Sequence, residues 1–291
     1  MMKIIAKNLS WITVFCVNLL VAQPKQNIEL PEGGKDMNVQ VGTQLYSLYV
    51  TENLEIYNDD TLLEYFEDIS FNFLDQKNKA ITENLLQNFI LYADKKVPYQ
   101  LIDLIKQEVS RVKNNIHYKT GNLEDLETVN KLLEYNPYNY RELKSITALA
   151  TQIKESNNAE TEMVSVAFMN MPPPPPPSLV EYLYWKDKST VLEGLALFNT
   201  YTYITFKGST ILDSEGNVLN EKTLKQILPD KGLVFIRFDK KLLYGDYIKS
   251  TLLLDKVRKE LNEDSQLQFR PFEASAELEV HFQNLEISFK K

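Results

Sequence analysis

The sequence predicts a mixed α/β (α+β) protein made of two related small β-α-β-α-β modules, joined by a helical segment and a polyproline spacer. Three observations predict this class. A strand-helix-strand-helix-strand order is found in each half of the chain, and a similar short block of residues recurs in both halves. Six consecutive prolines at 172–177 separate the halves. With 291 residues and 44% hydrophobic content, the chain can build one or two apolar cores.

The first 22 residues have the pattern of a secretory signal peptide. Lys3 and Lys7 precede an apolar run over 9–22, and Ala22 precedes a plausible cleavage point. This run is shorter than the about 20 apolar residues that span a bilayer. We therefore expect a periplasmic or otherwise exported protein. The alternative is an uncleaved segment that anchors the chain in the inner membrane.

Charge and cysteine content exclude several classes of partner and site. Removal of residues 1–22 takes away two lysines and no acid, which changes the net charge from −8 to −10. An acidic chain does not favour nucleic acid or an anionic membrane surface as a partner. Contact with a membrane is therefore expected only if the N-terminal segment is uncleaved. Cys16, the only cysteine, lies in that segment, so the mature chain has no disulfide, thiolate metal site or cysteine nucleophile.

Local composition and the positions of proline and glycine divide the chain into six predicted segments. Proline, glycine and polar residues mark the lead-in, and the proline run forms a stiff polyproline II spacer. The segments are a signal peptide (1–22), a flexible lead-in (23–36), a first module (37–121), a helical connector (122–171), the polyproline spacer (172–177), and a second module with extra C-terminal strands (178–291).

The first module and the connector have these predicted elements. Residues 44–57 favour a strand, and Asp60 or Thr61 caps a short helix. A buried strand over 89–93 and an amphipathic helix over 99–114 follow, and a strand over 115–119 ends the module. Asn122 is expected to cap a helix over 123–135, and a second connector helix covers 140–154.

The second module repeats this order. A strand is predicted over 200–212, and Asn220 caps a helix over 221–228. A strand over 233–238, a helix over 246–261 and a strand over 267–272 follow. The alternating apolar residues of 278–289 predict the extra C-terminal strands.

The recurring block is an Asp-Lys-Lys sequence followed by two apolar residues and a tyrosine. It comes directly after a predicted strand and directly before a long helix, so a structural role at the turn is favoured over a catalytic one. The tyrosine ring is expected to cover the core and leave its hydroxyl at the edge. The apolar registers of the two helices that follow differ by one residue. The repeated residues are Asp94, Lys95, Lys96 and Tyr99, and Asp239, Lys240, Lys241 and Tyr244.

Residues 92–102 (YADKKVPYQLI) resemble the periplasmic domain of the ExbD/TolR biopolymer-transport family, and residues 238–248 (FDKKLLYGDYI) are a looser second match. The resemblance implies two tandem copies of that domain. Family members couple the proton-motive force to envelope processes, their periplasmic domains form dimers, and some contact peptidoglycan. The family's membrane helix carries an aspartate needed for proton coupling, whereas the apolar run over 9–22 has no acid.

The resemblance implies a non-enzymatic cell-envelope protein that mediates protein–protein interaction. The two modules are expected to pair within the chain in place of a homodimer. The expected partner is an unidentified envelope protein, and peptidoglycan is a second candidate. One alternative is a membrane-anchored accessory subunit of a transport complex driven by the proton-motive force. Another is a secreted hydrolase that uses acidic residues.

Other residues give no prediction of a catalytic, cofactor or metal site. The two histidines, His117 and His281, are far apart in sequence. The acidic residues of 59–68 lack the spacing of an EF-hand loop. Neither a glycine-rich phosphate loop nor a Gly-x-Ser-x-Gly elbow is present. We therefore expect no cofactor.

Overall fold

The structure is a computed structural model that describes most of both modules. The predicted signal peptide and the polyproline spacer lie outside the described residues. No helix within the described ranges is both long and apolar enough to span a membrane. The described ranges are 28–37, 42–112, 116–123, 127–130, 145–155, 182–198, 200–228, 232–264, 270–274 and 276–289.

The first module contains a seven-stranded sheet in the order β1-β7-β6-β5-β2-β3-β4. Its strands are β1 (Lys35–Asp36), β2 (Thr43–Val50), β3 (Ile56–Asn58), β4 (Thr61–Leu62), β5 (Leu86–Ala93), β6 (Ile116–Lys119) and β7 (Glu127–Asn130). Its helices are α1 (Glu67–Thr82), α2 (Tyr99–Arg111) and α3 (Ile146–Glu155).

The centre of this sheet is parallel and its flanks are antiparallel. β2, β5 and β6 run parallel, with α1 and α2 as the crossover connections. Alternate side chains of β2, namely Tyr46, Leu48 and Val50, are buried on one face. Phe89 and Leu91 of β5 pair with Tyr46 and Leu48 in register and extend that face. The apolar sides of the helices cover it and form the core.

The second module contains a five-stranded sheet in the order β10-β9-β8-β11-β12, in which β8, β11 and β12 are parallel. Its strands are β8 (Tyr201–Lys207), β9 (Thr210–Leu212), β10 (Val218–Leu219), β11 (Leu233–Phe238) and β12 (Arg270–Glu273). Its helices are α4 (Lys188–Ala196), α5 (Glu221–Ile227), α6 (Tyr244–Asp264) and α7 (Ala276–Asn284).

The two sheets share one topology, which confirms the predicted mixed α/β class. In each module a parallel strand is followed by an antiparallel hairpin and a crossover helix, and then by a second parallel strand, a second helix and a third parallel strand. The modules differ in what covers the sheet. A separate apolar cluster on the second sheet joins Phe235 and Phe272 to residues of α4 and α7, such as Val191 and Phe282.

The prediction of a wholly helical connector over 122–171 is wrong at 127–130. These residues form β7, which is antiparallel to β6 and also pairs with β1. The apolar spacing that favours a helix is outweighed there by pairing with an available strand edge. The second connector helix is present as α3, and its Ile146 and Ala150 join the larger apolar cluster, which contains residues of both modules.

The prediction of extra C-terminal strands in 178–291 is also wrong. Residues 276–284 form α7, because Leu278 and Phe282 are one helical turn apart and both are fully buried. The alternation of apolar residues in this segment coincides with a helical spacing of four. The helical spacing places Leu278 and Phe282 on the same side of α7, where both pack in the apolar cluster on the sheet.

The described part of the segment predicted as a flexible lead-in, residues 28–36, packs against the first module. Ile28 and Leu30 are buried, and β1 pairs with β7. The Pro31 carbonyl accepts a hydrogen bond from the Gly121 N–H at 2.8 Å. The described part of the segment therefore belongs to the first module. The predicted start of that module at residue 37 is too late.

The first predicted helix begins later than expected. Asp60 and Thr61 do not cap a helix, since Thr61–Leu62 is the short strand β4. α1 begins at Glu67 and buries Ile69 and Phe73. Hairpin pairing of β3 with β4 explains the shift.

Candidate functional site: the interface between the two modules

The two repeated blocks meet each other across an approximate two-fold axis. Pro98 and Leu243 form an antiparallel bridge at the axis. The Tyr99 N–H donates to the Leu242 carbonyl at 2.6 Å, and the Tyr244 N–H donates to the Val97 carbonyl at 2.7 Å. These two bonds are related by exchange of the modules, so the expected pairing of modules within one chain is confirmed.

A second pair of hydrogen bonds repeats this reciprocity. The Gln100 N–H donates to the Lys240 carbonyl at 3.3 Å, and the Gly245 N–H donates to the Lys95 carbonyl at 2.9 Å. Each of these residues in the first block is separated from its counterpart in the second block by the same number of positions as Tyr99 is from Tyr244. The interface is thus built like the self-complementary interface of a symmetric homodimer.

Each repeated aspartate shapes the turn that brings its block to the interface. The Asp94 carboxylate accepts the Lys96 N–H at 2.9 Å, and the Asp239 carboxylate accepts the Lys241 N–H at 2.8 Å. Such an Asx-turn is a common structural use of aspartate. Asp94 is almost fully buried and also accepts the Glu29 N–H at 2.8 Å. Both aspartates have structural contacts, as the sequence predicts.

The repeated lysines take different positions. Lys95 forms an ion pair with Glu29, and the Lys96 ammonium lies 3.0 Å from a carboxylate oxygen of Glu52. All four of these side chains are well exposed, so each ion pair contributes little to stability. Lys240 and Lys241 are exposed on the second block.

The repeated tyrosines are buried in the interface, and the expectation of hydroxyls at the edge is wrong. Tyr244 is fully buried, and Tyr99 packs on Phe238 and Tyr247 of the other module. The expectation of a one-residue difference in helix register is also wrong. Equivalent buried positions follow each tyrosine at the same spacing: Ile102, Ile105 and Val109 in α2 with Val112 directly after it, and Tyr247, Ser250, Leu254 and Val257 in α6.

A buried ion pair lies across the interface beside Tyr99. The Lys106 ammonium of α2 contacts the Glu273 carboxylate of β12, and the Tyr99 hydroxyl donates to the same carboxylate. The ammonium is also 3.3 Å from the Tyr247 hydroxyl and 4.9 Å from the centre of its ring. Lys106 is 3% exposed and Glu273 is 1% exposed, so each charge depends on the other module for compensation.

The tyrosines around the ion pair remain neutral hydrogen-bonding groups. Burial, followed by the nearby Glu273 charge, raises the pKa of Tyr118 far above its ordinary value. The same two causes, in the same order, raise the pKa of Tyr247. A neutral phenol can donate to a carboxylate, which a phenolate cannot do.

The Lys106–Glu273 ion pair is buried, so a substrate cannot reach it from solvent. Asp103 and Glu273 both approach the Tyr99 hydroxyl, but Glu273 is buried and neutralised by Lys106. In the part of the chain that the structure describes, no three His, Cys, Asp or Glu side chains are grouped to hold a metal ion. His117 lies on β6, and His281 lies on α7, where its ring stacks 6.4 Å from that of Tyr184 in the separate cluster of the second module.

Sequence reasoning missed Lys106, Glu273, Tyr118 and Tyr247. A signal for Lys106 exists, because it falls within the apolar side of an amphipathic helix, between Ile105 and Val109. Glu273 has no comparable signal, since it comes directly after the predicted strand 267–272 and its partner across the interface is set only by the tertiary structure. Comparison of the chain with protein-family models, curated proteins and solved structures finds no match.

Proposed function

We propose that the chain is a non-enzymatic cell-envelope protein whose paired modules, each similar to the periplasmic domain of the ExbD/TolR family, act together in protein–protein interaction. The observation that carries the proposal is the reciprocal pairing of the two Asp-Lys-Lys-x-x-Tyr blocks. It supports the proposal because the periplasmic domains of that family form dimers. One chain with two such modules takes the place of two chains with one each.

An apolar stripe on α1 supports a role in protein contact. Phe71 is 65% exposed and Ile81 is 61% exposed, and Leu74 is exposed between them. The three positions fall on one side of the helix, because their spacings of three and seven residues are close to whole turns. A row of exposed apolar side chains on a helix is typical of a surface that contacts another protein.

Site-specific photo-cross-linking in the source cells tests the proposal. A photoreactive residue at Phe71 or Ile81 should cross-link to a membrane component of an envelope transport complex. Glu215, exposed in the turn before β10 of the second module, is the matched control position and should give fewer cross-links to that component. Equal cross-linking at all three positions, or recovery of the chain with cytoplasmic markers, would contradict the proposal.

The attachment of the chain to the membrane needs a separate measurement. Mass spectrometry of the protein's N-terminus should find Gln23 as the first residue if the leader is cleaved. An N-terminus that retains residues 1–22 would instead favour the alternative of an anchored accessory subunit.

A further inference from the structure

The approximate symmetry of the interface makes it possible to compare its two sides residue by residue. Lys106 of α2 and Thr251 of α6 are equivalent, because they follow Tyr99 and Tyr244 at the same distance. Tyr118 and Glu273 are also equivalent. Tyr118 pairs with Leu91 of β5, and Glu273 pairs with Ile236 of β11, which is the counterpart of Leu91. The two equivalent sites therefore carry different side chains.

One side of the interface is charged. There, Tyr99 and Lys106 of the first module face Glu273 of the second module, and the three side chains are joined by an ion pair and a hydrogen bond. All three are buried. Burial removes the stabilisation that water would give to each charge. The ammonium and the carboxylate therefore depend on each other across the boundary between the modules.

The other side of the interface is neutral. There, Tyr244 and Thr251 of the second module correspond to Tyr99 and Lys106, and Tyr118 takes the place of Glu273. Tyr118 lies between the two sides, since its ring is also 5.8 Å from that of Tyr247 beside the ion pair. The Tyr244 and Tyr118 rings lie 6.4 Å apart, and no described group accepts or donates a hydrogen bond at the Tyr244 hydroxyl. The Thr251 hydroxyl donates to the Ile248 carbonyl of its own helix at 2.8 Å.

Pairing of like modules would break this balance. Two copies of the first module would place Lys106 opposite Tyr118 on both sides, with no carboxylate in the position of Glu273. Two copies of the second module would place Glu273 opposite Thr251 on both sides, with no ammonium. Each arrangement buries two uncompensated charges, which is strongly unfavourable.

We propose that Lys106 and Glu273 select the pairing partner, so that a first module pairs only with a second module and like modules do not associate. The second module can come from the same chain or, by exchange, from a second copy of the chain. This inference goes beyond the proposed function, and it holds whichever cellular role the chain has. The two opposite charges favour one pairing by attraction, and their burial without a counter-charge disfavours the two others.

Charge reversal in separate full-length chains tests the proposal. One chain carries Lys106→Glu and the other carries Glu273→Lys, so that each has like charges opposed within its own interface. The two chains are mass-labelled differently, unfolded together in urea, refolded together, and examined by native mass spectrometry and light scattering. Each chain is also refolded alone.

The expected result is a one-to-one heterodimer in the mixture. In it, each first module pairs with the oppositely charged second module of the other chain, and we expect at least about tenfold more heterodimer than homodimer of either chain refolded alone. The double variant Lys106→Glu/Glu273→Lys restores opposite charges within one chain and should refold as the wild type does, without exchange.

The matched control uses an ion pair that does not cross the interface. Lys96→Glu and Glu52→Lys reverse an exposed pair within the first module and should give no heterodimer on mixing. The proposal is overturned if the buried-pair mixture yields no more heterodimer than this control. It is also overturned if the double variant does not refold, because the placement of opposite charges is then not what selects the partner.

Discussion

At the scale of single residues, the aspartates of the two repeated blocks contribute differently to stability. Asp94 is buried and its carboxylate accepts two backbone N–H groups, those of Glu29 and Lys96. Asp239 stands in the equivalent turn but is partly exposed, and its carboxylate accepts the Lys241 N–H. The difference arises because the N-terminal segment covers the first turn.

We expect Asp94→Ala to lower the free energy of unfolding by about 2–3 kcal/mol, because it removes a buried carboxylate and leaves two partly buried N–H donors without an acceptor. Asp239→Ala is the matched control and should cost about 1 kcal/mol, since water can reach its turn. Urea unfolding of both variants measures the difference. Equal losses would show that the N-terminal segment does not depend on Asp94.

A second residue-scale prediction concerns His281. It is largely buried beside Tyr184, and this burial lowers its pKa from the ordinary 6.5, although a hydrogen bond with the Trp185 backbone opposes the shift. Between the lowered native pKa and 6.5, the unfolded chain binds more protons than the folded chain. The contribution of neutral His281 to stability is therefore complete above pH 6.5 and is lost as the pH falls through the native pKa.

Unfolding free energies of the wild type and of His281→Gln, measured between pH 7.5 and 5, test this sign. The wild type should lose more stability on acidification than the variant does. An identical decline in the two proteins would contradict the assignment, because Gln cannot take up a proton in this range.

At the scale of elements, those with strong local signals form where the sequence predicts them. α5 has both halves of a capping box: the Asn220 side chain accepts the Thr223 N–H at 2.9 Å, and the Thr223 hydroxyl accepts the Asn220 N–H at 2.8 Å. β11 spans the predicted residues because its first four residues, 233–236, are apolar and all buried. Short elements such as β4 and β7 were missed, because pairing with neighbouring strands defines them.

Asn220→Ala removes the capping side chain from a helix of only seven residues. The free energy of unfolding should fall by about 1 kcal/mol, which is the usual cost of losing such a cap. Lys222→Ala, at an exposed position in the same helix, is the control and should have little effect. Chemical denaturation followed by far-ultraviolet circular dichroism gives both values, and an equal effect of the two substitutions would contradict the role of the cap.

At the scale of the whole molecule, the modules share one apolar core. A single contiguous cluster includes residues of both, among them Val109 and Tyr118 from the first module and Tyr247 and Leu254 from the second. Backbone hydrogen bonds cross the boundary in both directions. The two modules therefore stabilise each other through contacts that do not require the connecting chain.

Cleavage of the chain between α3 and α4, at a protease site inserted within 156–181, should leave the two parts associated. The shared core and the buried ion pair hold them together, so the nicked protein should elute as one particle at micromolar concentration. Size-exclusion chromatography with light scattering provides the measurement. Separation into two particles would show that the interface is too weak to persist without the covalent link.

The sequence by itself determined the mixed α/β class, the tandem repeat and most long elements, because these depend on local periodicity and caps. The residues of the repeated blocks were also recognised from sequence, since their spacing is regular. Only the tertiary structure decided that these blocks meet each other and that Lys106 lies against Glu273. The physical reason is distance along the chain: a buried charge is tolerated only beside its partner, and here that partner belongs to the other module.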